Sequence, residues 1–67
     1  MTTSAAPVPD LESLEQIAQR PVWDGNLISK SGRDTLVRAG FVARRAGWNI
    51  LTTDGLALAV ELGFLKA

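Results

Sequence analysis

Apolar residues recur along the chain in blocks of different period. Leu11, Leu14, Ile17 and Ala18 are spaced for one side of a helix. Asp10 stands ahead of them as a capping residue, Glu12 and Glu15 sit where the helix dipole favours negative charge, and Pro21 enforces an end. The spacing predicts a first amphipathic helix from Leu11 to Gln19. Before it, "MTTSAAPVP" is small, polar and interrupted by Pro7 and Pro9, which predicts a disordered arm over residues 1–9 and a single domain over 10–67.

The next apolar positions follow a different rule. "PVWDGN" joins a β-prone Val22-Trp23 pair to an Asp-Gly-Asn turn signal, giving a short strand or an extended connector. A second helix is expected over 31–39, with Ser31 and Asp34 spaced as a capping box, Leu36 and Val37 on its apolar face, and Gly40 at its C-terminal cap. Phe41 lies where such a cap makes its hydrophobic contact. Two strands, Phe41 to Arg45 and Trp48 to Thr52, then form a hairpin through Ala46-Gly47. Alternation puts Trp48 and Ile50 on one side of it, Asn49 and Leu51 on the other.

The last block is apolar almost all round. Thr52 or Thr53 caps a helix with Asp54 in its first turn. Leu56, Ala59, Val60 and Gly63 form one stripe, and Leu58, Leu62 and Leu65 a second. A helix with two apolar stripes needs cover on two sides. Either the first helix and Trp23 supply it, or the second stripe is an interface for a homodimer or a protein partner.

The pattern therefore predicts an α+β domain: helix, short strand or connector, helix, β-hairpin, C-terminal helix. At 67 residues such a domain buries only about 60% of its unfolded surface, so its core is small. The chain has no cysteine and no histidine, which removes disulfides, thiolate chemistry, imidazole catalysis and the usual zinc sites. Ser and Thr lack an activating partner, so no enzyme is expected. The glycine spacing matches neither a phosphate loop nor a dinucleotide fingerprint; no cofactor, metal or small-molecule substrate is expected. No stretch approaches the roughly 18 apolar residues of a membrane span, and the N-terminus lacks a secretory pattern, so no membrane association and a cytoplasmic location are expected.

Net charge is zero, but its distribution is uneven. Over residues 1–24 Arg20 is outnumbered by Asp10, Glu12, Glu15 and Asp24, a net −3. Over 25–45 Lys30, Arg33, Arg38, Arg44 and Arg45 face only Asp34, a net +4. An acidic front precedes a basic middle.

The stretch "SKSGRDTLVRAGFVARRAGWNILTTDGLALA" resembles the second half of a winged helix-turn-helix domain of the MarR type. In that family a recognition helix runs into a "G-(L/F)-V-x-R" strand, a wing turn, an "x-L-T-x-x-G" strand end and a closing helix. The matching positions are Leu36, Gly40, Phe41, Val42, Arg44, Gly47, Leu51, Thr52 and Gly55. Pro21 to Lys30 is too short and turn-rich for the further helix that normally precedes the recognition helix. The resemblance implies a small DNA-binding protein, a transcriptional regulator or accessory factor, with double-stranded DNA as partner. Lys30, Ser31, Arg33, Thr35 and Arg38 would then face the groove or its phosphates, and Arg44 and Arg45 would reach the backbone or minor groove. Small proteins of this build are also similar to phage proteins that use the scaffold to bind other proteins. The alternative is accordingly an inhibitor or adaptor acting through Leu58, Leu62 and Leu65.

Each residue also has a plainer role. Arg33 and Arg38 suit a solvated helix face, with Arg38 spaced to pair with Asp34. Arg44 and Arg45 suit protection of an exposed strand edge. Trp48 beside a hairpin turn is expected as a packing anchor, and Trp23 as a core residue; the competing use of Trp48 is a stacking platform beside an arginine.

Overall fold

A computed structural model describes residues 10–66; the arm expected over 1–9 lies outside the described residues. The elements run α1 (Leu11–Gln19), β1 (Val22–Trp23), one 3-10 turn (Asp24–Asn26), α2 (Lys30–Arg38), β2 (Val42–Arg45), β3 (Trp48–Leu51) and α3 (Thr53–Glu61). The three strands form one antiparallel sheet in the order β1-β3-β2. The protein is an α+β domain, and the stretch from Pro21 to Lys30 holds an edge strand and a turn.

Cross-strand partners share a side of the sheet, so register sorts the side chains. Val22, Asn49 and Arg44 lie on the inner side with the Val42 and Leu51 pair. Val22 and Val42 pack with Leu14 and Ile17 of α1 and Leu36 of α2, with Leu51, Leu58 and Phe64 around them. All three helices thus feed a core on one side of the sheet. Trp23, Trp48, Arg45, Ile50 and Ala43 occupy the other side, which no helix closes over: Trp23 is 45% and Trp48 46% exposed. This inverts the packing role expected of the tryptophans, and the buried residue of β3 is Asn49, fully enclosed.

Local chemistry explains the element ends. α2 starts one residue early: Ser29, not Ser31, is its cap and accepts from the Gly32 amide at 2.9 Å. It ends in a Schellman motif, with Gly40 at φ +89°, the Gly40 amide bonding to the Val37 carbonyl at 3.0 Å and the Phe41 amide to the Leu36 carbonyl at 2.9 Å. The same pair of bonds closes α3, from Gly63 to Val60 at 3.1 Å and from Phe64 to Ala59 at 2.8 Å. Gly63 therefore ends the helix instead of extending its stripe. Thr52 caps α3 through the Gly55 amide and donates its hydroxyl to the Gly40 carbonyl at 2.6 Å, fastening the start of α3 to the end of α2. Three expectations do not hold. Asp10 makes no side-chain cap bond, Leu11 is exposed, and Val37 points to solvent, leaving Leu36 as the one buried aliphatic side chain of α2.

The hairpin turn carries strain at one position. Ala46 and Gly47 both have positive φ, 50° and 87°, as a type I′ turn requires. Alanine tolerates that region poorly, whereas asparagine adopts it readily. Ala46→Asn is expected to stabilise the domain by on the order of 1 kcal/mol, read as a raised denaturation midpoint with an unchanged slope. An unchanged or lowered midpoint would contradict the turn geometry.

Candidate functional site

The basic middle of the chain does not form one surface. Arg33 is only 5% exposed. Its Nη1 donates to Asp24 Oδ1 and to Asn49 Oδ1, both at 2.9 Å, and its Nε to Asp34 Oδ1 at 2.7 Å. Asn49 Nδ2 donates to the Val22 carbonyl and to Asp24 Oδ1, each at 2.9 Å. Arg44 Nη2 reaches Asp24 Oδ2 at 2.8 Å. Two arginines and two carboxylates thus close a neutral cluster around one buried amide. No buried side-chain nitrogen or oxygen among the described residues lacks a partner.

Burial opposes the charge on Arg33, but the hydrogen bonds it donates to Asp34 and Asp24 outweigh it and hold the guanidinium more firmly protonated than usual. The Asp24 carboxyl is lowered from 3.8 to about 2, chiefly by the Asn49 amide and then by Arg44, with Arg33 adding to both against a partial desolvation cost. Asp24 stands where the 3-10 turn begins, so this carboxylate joins the turn after β1 to α2, β2 and β3.

The residues expected at a nucleic-acid surface divide accordingly. Arg33 is a strut, buried where a groove-facing position was expected. Arg44 is half-exposed but committed to Asp24. Thr35 is half-buried, and its hydroxyl donates back to the Ser31 carbonyl at 3.0 Å. Lys30, Ser31 and Arg38 are exposed on α2, Lys30 and Arg38 in one i,i+4 row with the exposed Asp34 between them. The expected Asp34 to Arg38 pair is replaced by Asp34 to Arg33. Arg45 is exposed on the outer side of the sheet, opposite Trp48 in register. Of the second α3 stripe, Leu62 is 39% exposed while Leu58 and Leu65 are half-buried and Leu58 packs on the core. Among the described residues there is no acidic, His or Cys cluster suited to a metal and no helix long and apolar enough to cross a membrane.

Three contributors went unrecognised in the sequence. Asp24 reads there as a turn residue and one of the front acids, although it directly precedes the basic segment. Arg20 and Pro21 read as a helix end, yet they border the groove beside Trp48 and Ile50.

Fold and site together define a small α+β domain whose α2 and hairpin are clamped by a charged cluster. The chain matches no protein-family model, and no curated protein or solved structure is significantly similar to it.

The clamp has two measurable consequences. Because the folded-state pKa of Asp24 lies below its ordinary value, its stabilisation is fully present above about pH 4 and is lost as pH falls through about 2. The melting-temperature gap between wild type and Asp24→Asn should be wide near neutrality and close over that interval; a gap independent of pH would refute the assignment. Asn49→Ala, which strips buried partners from Arg33 and the Val22 carbonyl, should destabilise by about 2 kcal/mol in chemical denaturation.

Proposed function

We propose that the domain binds double-stranded DNA through the outward face of α2, in the manner of a small winged-helix protein acting as a regulator or accessory factor. The observation that carries this reading is that Lys30, Ser31 and Arg38 are exposed together on α2 while the Arg33 cluster holds that helix to the hairpin. A helix so fixed meets a groove without first being ordered, which lowers the cost of binding. Lys30 and Arg38 supply phosphate contacts and Ser31 a short polar contact, while Arg44 stays with Asp24. The order helix, hairpin, closing helix accords with the winged-helix resemblance. Arg33 acts in this reading as the support beneath the interface.

A second reading, an interaction module that pairs two copies through α3, draws on the exposure of Leu62. The inward turn of Leu58 leaves that stripe narrow. Sedimentation distinguishes it: a concentration-dependent dimer abolished by Leu62→Ser supports pairing, and a monomer at all concentrations refutes it.

The DNA reading is tested by titrating a labelled duplex at two salt concentrations. About two phosphate contacts give a slope of log K against log salt on the order of −2. Lys30→Gln and Arg38→Gln should each weaken binding and reduce the slope by about one. No binding at low salt would overturn it.

A further inference from the structure

The outer side of the sheet is built for a ligand that the α2 surface does not explain. Trp23 and Trp48 are direct cross-strand partners there, with ring centroids 5.4 Å apart at 65°. Trp23 is held in place by the hairpin turn: a Cβ on Gly47 would fall 2.5 Å from Trp23 Cζ3. Its ring is therefore pre-positioned, which spares a ligand the cost of ordering it. Arg45 pairs with Trp48 across the hairpin and so shares its side. On the far side of Trp48, Arg20 and Pro21 border an open groove floored by Ile50. Among the described residues, neither Arg45 nor Arg20 makes an ion pair. No acidic residue lines this groove or the two adjoining it.

These features specify the occupant. It must offer flat faces to half-exposed indoles and negative charge to two arginines. A second copy of this face brings the same cations against themselves, and a purely apolar peptide leaves them unanswered. Duplex DNA hides its base faces in the stack. Single-stranded nucleic acid supplies both unpaired bases and phosphates, and pairing of aromatic stacking with nearby cations is how such strands are held without sequence preference.

We propose that the outer face of the sheet binds single-stranded nucleic acid, stacking unpaired bases on Trp48 and Trp23 with Arg45 and Arg20 on the phosphates. The site is independent of the duplex surface on α2, from which it is separated by the sheet itself.

The chain contains two tryptophans and no tyrosine, so its intrinsic fluorescence arises from this face alone. Oligothymidylate should quench that fluorescence, less strongly as salt rises. By anisotropy of a labelled strand, Trp48→Ala should weaken binding between about fivefold and a hundredfold, the range one stacked base supplies, with Trp48→Phe restoring most of it. Arg45→Gln should weaken binding and flatten its salt dependence, whereas Lys30→Gln and Arg38→Gln should leave it unchanged while weakening only duplex binding. Circular dichroism confirms that each variant is folded; Trp48 is half-exposed, and Arg45→Gln keeps the ring intact should Trp48→Ala not fold. The proposal is overturned if oligothymidylate neither quenches nor binds, if Trp48→Ala or Arg45→Gln binds it as tightly as wild type, or if a polyglutamate peptide binds this face as tightly.

Discussion

The structure turns on the carboxylate of Asp24. Its Oδ1 takes hydrogen bonds from Arg33 of α2 and Asn49 of β3, and its Oδ2 takes one from Arg44 of β2. A domain with so few buried apolar side chains cannot enclose an arginine unless the charge is matched and its buried donors are satisfied. Both conditions are met: Asp34 takes the Nε–H, Asp24 and Asn49 accept from Nη1, and no buried side-chain nitrogen or oxygen among the described residues lacks a partner. A buried pair of this kind is weak evidence for stability in itself. Its clearer effect is directional, because a charged hydrogen-bond network fixes α2 against the hairpin at one angle, where apolar contacts alone tolerate sliding.

The same cluster changes the meaning of the charge distribution. The acidic front and basic middle point toward a polyanionic partner when laid out in line. Folding brings Asp24 from the first onto Arg33 and Arg44 of the second, so part of that polarity is internal complementarity. What faces solvent is divided: Lys30 and Arg38 on α2, Arg45 beyond the sheet. Two modest cationic surfaces replace the single basic one, and a polyanion meeting either would have to draw on something other than bulk charge. On α2 the fold offers a helix clamped to the hairpin; on the sheet it offers aromatic area.

Most local signals were legible and long-range ones were not. Pro21 as a stop, Gly40 as a C-terminal cap and Ala46-Gly47 as the turn depend on neighbours within a few residues, and each stands where the sequence predicts; of the two threonines open as the α3 cap Thr52 takes it, whereas the caps expected of Asp10 and Ser31 do not form. The two sides of the hairpin were sorted correctly by alternation. Which of them faces inward was not, since hydrophobicity favours Trp48 and Ile50 over Asn49. Asn49 goes inside because Asp24, Arg33 and the Val22 carbonyl converge on it from other parts of the chain. Arg33 and Arg38 both read as helix-face arginines, although Arg33 lies three residues from the buried Leu36 and so on its side of α2. That an arginine can be buried there depends on Asp24 and Asn49, which reach it from other parts of the chain.

The exposed tryptophans are the part of the structure that folding explains least. Arg45 has a sufficient reason to be on β2, an edge strand, where charge discourages pairing with another sheet. Trp23 has a partial one, since it covers the turn at Gly47 and its edge contact with Trp48 adds about 1 kcal/mol. Trp48 has only its half of the same contact: a threonine or valine at that position would suit a solvated sheet face without leaving half an indole in water. Asn49, its neighbour, already anchors β3 to the core. Large apolar area kept at a rigid surface, beside unpaired cations and away from acids, is better accounted for by a ligand than by the fold.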